Sequence, residues 1–238
     1  MELVSERTVR DLASSNPAAA RIFEKFGIDY CCGGDKSLAQ ACLAAEANLQ
    51  EVAEALERPR AQTDERDWRE ASLTELSKHI VQKHHGFTRQ EIARLVPLFA
   101  KVVGVHGQSH PELVQIQSSF HALAEELAMH LMKEERMLFP YIEQLEIAAR
   151  SGHPAAPPMF GTVQNPVRMM MMEHDSAEEL LGKMRRVTNG YTVPADACMS
   201  FKMLYQALQE FEMDLHEHIH LENNILFPRA VELEVQAG

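Results

Sequence analysis

A repeated pattern of histidine, glutamate and a Leu-Phe-Pro segment restricts this chain more than any other feature. The pattern His-x3-Glu-x3-Leu-Phe-Pro occupies residues 130–140 and recurs 88 residues later, at residues 218–228. Residues four apart lie on one face of an α-helix. Each copy therefore places a histidine beside a glutamate, His130 with Glu134 and His218 with Glu222. Self-similarity of this kind predicts two related helical hairpins.

Four long helical patterns follow from the apolar periodicity, and they cover residues 72–103, 111–149, 167–188 and 195–233. The connections between them are short, which predicts an all-α, antiparallel four-helix bundle. Pro97 is expected to kink or end the first helix. We expect three parts along the chain: a small helical domain at residues 1–57, a polar linker at 58–70 and the bundle at 71–238.

The other two long helices each carry a lone histidine that completes the repeat. His174 in the third helix lies 89 residues after His85 in the first. His84 directly precedes His85, and the spacing leaves open which of the two faces the core, because a regular helix allows only one of them to do so. His220 lies two residues from His218, on another helix face, and is expected to be exposed.

Apolar residues at the same helical phase point both repeated pairs into the bundle. A buried carboxylate is costly without a cationic partner, and no Lys or Arg stands at a matching position, so Glu134 and Glu222 call for metal. Four imidazoles and two carboxylates suit iron, manganese or zinc. Two equivalent sets suggest two metals, each with two histidines, bridged by both glutamates and open to oxide, water or a small ligand. The alternative is a duplicated hairpin whose His and Glu face solvent.

Composition excludes several other classes of protein. The formal net charge of −12 disfavours binding to nucleic acid or to an anionic membrane. No apolar run approaches the roughly 20 residues of a membrane span, and the first residues lack the apolar segment of a signal peptide. With only four cysteines, the chain is expected in the reducing cytoplasm.

With these residues assembled, the chain resembles the Ric (repair of iron centres) family of di-iron proteins for iron–sulfur cluster repair. In that family a small N-terminal domain with a Cys-Cys pair precedes a hemerythrin-like four-helix bundle. The resemblance covers nearly the whole chain. It rests on five segments, at residues 29–34 (Asp-Tyr-Cys-Cys-Gly-Gly), 125–130, 133–140, 173–175 and 221–228.

The resemblance implies a non-haem centre of two iron ions, bridged by carboxylates and by an oxo or hydroxo group. Its ligands would be His85, His130, Glu134, His174, His218 and Glu222. Glu126 and Glu173 match acidic residues on a route to the metals. Cys31 and Cys32 are candidate redox or metal-handling thiols, with buried thiols in a tight turn as the alternative.

The resemblance also implies a function, the repair of iron–sulfur clusters damaged by nitric oxide or oxidants. Iron donation, removal of nitric oxide and its reduction by the centre stay open, and so does a homodimer. The expected partners are damaged iron–sulfur proteins and the diatomic ligands NO and O2. One alternative is a hemerythrin-like carrier or sensor that binds O2 or NO reversibly. Another is a zinc-binding or metal-free interaction protein.

Overall fold

A computed structural model describes residues 2–57, 67–153 and 155–237, and these residues form helices without a β-strand. An isolated antiparallel bridge joins Thr8 to Ser37. The predicted all-α fold class is confirmed. Residues 58–66, most of the expected linker, lie outside the described residues. In the part of the chain that is described, no helix has the length and apolar composition that a membrane crossing requires.

The N-terminal domain consists of five short helices. They are α1 (Glu2–Ser5), α2 (Val9–Ser15), α3 (Pro17–Lys25), α4 (Leu38–Ala44) and α5 (Leu49–Glu57). Side chains define two of the helix starts: Thr8 caps α2, and Ser37 forms a capping box with Gln40 at α4. The domain has its own core around Val9, Phe23 and Leu38.

The bundle is built from longer helices on the C-terminal side. They are α6 (Leu73–Ile80), α7 (Gly86–His106), α8 (Glu112–Lys133), α9 (Phe139–Ser151), α10 (Gln164–Val187), α11 (Met199–Leu221) and α12 (Phe227–Ala237). Helix α8 packs along α10, and α7 packs against both α8 and α11. Phe99, Phe120 and Phe211 are fully buried at the centre. Helix α7 continues through Pro97 to His106, so Pro97 does not end the helix.

Three turns of π-helix interrupt the long helices at the repeated residues, at Val81–His85, Glu134–Leu138 and Glu222–Leu226. Proline explains two of them. Pro140 and Pro228 lack an N–H, and their rings collide with the carbonyl four residues earlier, so the preceding turn widens. Single π-turns of this kind are frequent at functional sites. Here each one carries residues of the candidate metal cluster.

The N-terminal domain docks on α11 and on the third π-turn. Arg10 Nε donates to Asn224 Oδ1 at 2.7 Å, and Asn224 Nδ2 donates to the Tyr30 carbonyl at 3.0 Å. Beneath this contact His220 is only 5% exposed, with its ring 5.4 Å from that of Tyr30. The expectation that His220 is exposed was wrong, because a second domain covers that helix face.

Candidate metal centre

Six side chains, from the three π-turns and from helices α8, α10 and α11, converge inside the bundle. Two overlapping sets have ligand atoms that all lie within 4.8 Å of one another. One set contains His85 and His218, the other contains His130 and His174, and both include Glu134 and Glu222. The structure therefore brings together all six residues expected as ligands. Its two sets share the two carboxylates, as a binuclear site requires.

The four imidazoles present their Nε2 atoms to this interior. The Nε2 atoms of His85 and His130 both lie 3.4 Å from Glu134 Oε2. The Nε2 atoms of His174 and His218 lie 3.2 and 3.0 Å from Glu222 oxygens. His130 Nε2 and His174 Nε2 face each other at 3.1 Å, where at most one proton fits between two nitrogens. The nitrogens are thus arranged for an ion rather than for mutual hydrogen bonds.

Buried polar atoms without hydrogen bonds support a metal at this position. Both carboxylate oxygens of Glu134, Oε2 of Glu222 and Nε2 of His85 are buried and have no hydrogen-bond partner. Leaving such a group unsatisfied costs about 1–3 kcal/mol each. Cations placed between the two carboxylates would satisfy these atoms together, so the residues present fit a pair of metal ions.

Outer hydrogen bonds fix the orientation of three of the imidazoles. His85 Nδ1 lies 2.7 Å from Glu135 Oε1, His130 Nδ1 lies 2.9 Å from Glu173 Oε2, and His174 Nδ1 lies 2.9 Å from Asn223 Oδ1. Such partners are typical of metal-binding histidines, since they hold the ring and fix the tautomer that leaves the other nitrogen free.

Burial also sets the protonation of the cluster. It lowers the pKa of His85 to about 4 and the pKa of His130 as well, so both imidazoles are neutral and able to bind metal. Burial and the charge of Glu222 raise the pKa of Glu134. The charge of Glu222 therefore favours a protonated Glu134 as long as no cation lies between the two carboxylates.

Comparison with known proteins gives the family. Residues 76–230 match the Hemerythrin HHE cation binding domain, and residues 5–60 match ScdA_N, a domain of unknown function (DUF542). A "Probable iron-sulfur cluster repair protein" of Haemophilus influenzae is 37% identical over 230 residues, covering 95% of this chain and 97% of the relative. The "Iron-sulfur cluster repair protein YtfE" of Escherichia coli O17:K52:H18 is 36% identical over 226 residues with the same coverage. The chain belongs to this iron–sulfur cluster repair family. The resemblance seen in the sequence is confirmed.

His84 and His85 are both fully buried in this protein. The expectation that only one of them faces the core was therefore wrong. The π-turn at Val81–His85 departs from the regular helical phase on which that expectation rested. His85 joins the cluster, whereas His84 Nδ1 lies 3.1 Å from Asp214 Oδ1 on α11. His84 is not part of either ligand set.

Glu126 and Glu173 border a small opening, a cavity of about 10 Å³ whose wall also contains His130, His174 and His218. Glu126 accepts a hydrogen bond from the Ser176 hydroxyl at 2.9 Å. Glu173 pairs with Lys133 besides His130, and these contacts lower the pKa of its carboxyl to about 2. The opening therefore has a carboxylate at its edge that stays charged.

The two candidate cysteines differ in their surroundings. Cys31 is 3% exposed, and its carbonyl accepts from Asn223 Nδ2 at 3.4 Å. Cys32 is only partly buried. Their backbone N–H groups both donate to Asp29 Oδ1, which holds the Cys-Cys turn. Neither sulfur belongs to the two His/Glu sets.

Two residues with a role at the site were not found from the sequence. Glu135 holds His85, and Asn223 holds His174. They follow Glu134 and Glu222 directly and are themselves 88 residues apart. The signal was present: extending the repeat by one residue places an oxygen acceptor at the same position in both copies.

Proposed function

We propose that this chain repairs iron–sulfur clusters damaged by nitrosative or oxidative stress, and that its binuclear site holds two iron ions. The observation that carries the proposal is the sharing of Glu134 and Glu222 by two histidine pairs. It is supported by the printed names of the relatives, which are repair proteins. In a chain of the repair family, such a site could hold iron that reacts with nitric oxide at the centre, or iron that is donated to a damaged cluster.

The donor set favours iron over a structural zinc ion. Structural zinc sites are closed by four ligands, often including cysteine, whereas these six residues contain no thiolate. Counting both carboxylates as bridges gives roughly eight protein bonds, against roughly twelve for two octahedral ions. Bound iron would supply redox-active positions that accept a diatomic or oxo ligand.

The protein's own residues keep the site ready for that chemistry. Glu135, Glu173 and Asn223 hold three imidazoles in the ligating tautomer. Phe139 and Phe227 stack on His85 and His174, at 5.8 and 6.1 Å between ring centroids, and close one end against water. Entry of NO, O2 or an iron ion would then pass the opening between Glu126 and Glu173.

We also place the protein in the cytoplasm, where its targets would be damaged iron–sulfur proteins. All four cysteines are free, and disulfides are rare in reducing compartments. The competing function is a carrier or sensor that binds O2 or NO reversibly. The Cys-Cys turn favours repair, because reversible binding of O2 or NO at the metal centre requires no thiol-bearing domain docked on α11.

The first experiment is metal analysis with an absorption spectrum, on protein purified from iron-replete cells without added metal. We expect about two iron ions per chain and the spectrum of an oxo-bridged di-iron centre. One zinc ion, or a folded chain without metal, would rule out the di-iron site.

The second experiment separates repair from reversible binding. A dehydratase whose iron–sulfur cluster has been damaged by nitric oxide is incubated with the iron-loaded protein, and its activity is followed. We expect recovery with the wild type and none with Glu134→Leu, while Glu125→Leu, at an exposed position on α8, behaves as the wild type. Reversible NO or O2 binding without any recovery would favour the carrier.

A further inference from the structure

A second group of metal-ligand side chains lies where the N-terminal domain meets the bundle. The sulfur of Cys31, a carboxylate oxygen of Glu178 and a ring nitrogen of His216 lie within 4.8 Å of one another. They come from three places in the sequence: the loop after α3, helix α10 and helix α11. None of them belongs to the two His/Glu sets.

The group is buried on one side and open to a cavity on the other. Cys31 and His216 are 3% and 7% exposed, and Glu178 is half-buried. A cavity of about 490 Å³ lies between the two domains and has all three residues in its wall. Water or an ion thus has access to donors that the protein otherwise encloses.

His216 already has the hydrogen bonding of a metal-binding histidine. Its Nδ1 lies 2.8 Å from Glu24 Oε1, and its Nε2 lies 2.8 Å from Glu178 Oε2. Glu24 would keep its hydrogen bond with the Nδ1–H group and so orient the ring, as outer carboxylates do at metal sites. An ion between Nε2 and Glu178 needs bonds of about 2.0–2.1 Å, so this pair must separate by a few tenths of an ångström.

Two carboxylates supply negative charge around His216. Glu24 and Glu178 flank His216 from opposite sides. Arg185 lies 3.5 Å from Glu178 but makes its closer pair with Glu212. The Glu178 carboxylate is therefore shared between Arg185 and His216, and a metal ion would take the place of the proton in the His216 contact.

We propose that Cys31, Glu178 and His216 form a mononuclear site for a divalent first-row transition metal, separate from the binuclear centre. Thiolate, imidazole and carboxylate together suit Zn²⁺, Fe²⁺ and Co²⁺. Binding releases the thiol proton of Cys31 and the proton held between His216 Nε2 and Glu178. Three protein ligands with the fourth position facing a cavity are typical of an exchangeable or reactive ion rather than a structural one.

Cobalt(II) is the probe, added to protein whose binuclear site is already loaded with iron. We expect one further equivalent to bind and a near-ultraviolet thiolate-to-cobalt charge-transfer band to appear. Cys31→Ser should abolish the band and weaken binding of this equivalent by more than about tenfold. Cys198→Ser, at an exposed cysteine elsewhere on the bundle, should leave both unchanged.

Two further variants test cobalt binding at this site even if Cys31→Ser folds poorly. Glu178→Gln keeps the shape of the side chain and removes the ligating charge, so it should weaken cobalt binding while far-UV circular dichroism shows that the cobalt-free protein keeps its helical fold. Glu134→Leu should lose the binuclear metals and keep the cobalt–thiolate band, which makes this site independent of the proposed function. The absence of a further equivalent, or a band that survives Cys31→Ser, would overturn the proposal.

Discussion

The Nδ1 atom of His174 lies 2.9 Å from Oδ1 of Asn223, and this pair connects the metal cluster to the N-terminal domain. The amide nitrogen of Asn223 donates in turn to the Cys31 carbonyl at 3.4 Å. Asn223 lies in the third π-turn, directly after Glu222. One side chain therefore orients a proposed metal ligand and contacts the Cys-Cys turn at the same time.

Replacing Asn223 should weaken metal binding without breaking the fold. Asn223→Ala removes the acceptor for His174 Nδ1, so the ring loses its fixed orientation and tautomer. Loss of such an outer partner typically costs about 10–100-fold in metal affinity. The measurement is competition for metal against a chelator of known affinity, with far-UV circular dichroism as the check on folding.

Asn224→Ala is the matched control for this variant. Asn224 contacts Arg10, His220 and the carbonyls of Tyr30 and Cys31, but it has no hydrogen bond to the six residues of the metal cluster. It should lower the stability of domain docking and leave the metal affinity close to that of the wild type. Equal affinities in both variants and the wild type would show that Asn223 does not position His174.

Replacing Glu134 should stabilise the metal-free protein and, at the same time, remove most of its bound metal. Both oxygens of Glu134 are buried without a hydrogen-bond partner, and burial raises the pKa of the carboxyl. Glu134→Leu removes these groups, so the free energy of unfolding of metal-free protein should rise by about 1–3 kcal/mol. Bound metal should fall from about two ions per chain to a small fraction. Chemical denaturation and elemental analysis measure the two quantities.

Glu125→Leu controls for the change in residue type, because Glu125 is exposed on α8, the helix that leads into the π-turn of Glu134. It should leave both the metal content and the stability of metal-free protein nearly unchanged. A Glu134→Leu protein that retains its full metal content would contradict the bridging role of this carboxylate.

Gly34 has a close-packed position in the domain contact. A Cβ atom there would lie 2.9 Å from Asn224 Oδ1 and 3.2 Å from Arg10 Cβ. Gly34→Ala should therefore cost about 1–3 kcal/mol of overpacking and loosen the docked domain. Faster alkylation of the buried Cys31 thiol reports the loosening. Gly104→Ala, where nothing lies within 4 Å, should instead stabilise α7 by up to about 1 kcal/mol. Equal alkylation rates in the two variants would exclude a packing role for Gly34.

The convergence of the six His and Glu side chains was predictable because its signal is local and repeated. His130 with Glu134 and His218 with Glu222 have a helical spacing that survives in the structure, and the all-α class follows from the same periodicity. Regular periodicity failed at His84 and His85, where a π-turn changes the phase. The local sequence gives no comparable sign of the π-turn at Val81–His85. No proline follows it closely, whereas Pro140 follows the π-turn at Glu134–Leu138.

Contacts between domains were out of reach for a different reason. The docked N-terminal domain covers His216 and His220 on α11 through Tyr30, whose ring lies 6.4 and 5.4 Å from theirs. Helical phase describes one helix against its own bundle. The helical phase does not show where a second domain docks. The group around Cys31 and His216 could therefore be found only in the structure.

At the far end of the bundle, His110 should give stability a pH dependence that is separate from the metal site. Hydrogen bonds that the His110 ring donates to the Asp196 and Glu112 carboxylates raise the pKa of His110. A pKa that is higher in the folded than in the unfolded state gives a stabilisation fully present below the unfolded value of about 6.5, and it is lost as pH rises through the folded value. The melting temperature of wild type relative to His110→Asn should thus be highest near pH 6 and decline toward pH 9. The effect should be small, since water screens the exposed Asp196. His121→Asn, on the exposed face of α8, serves as control, and a His110→Asn difference that does not vary with pH would contradict the assignment.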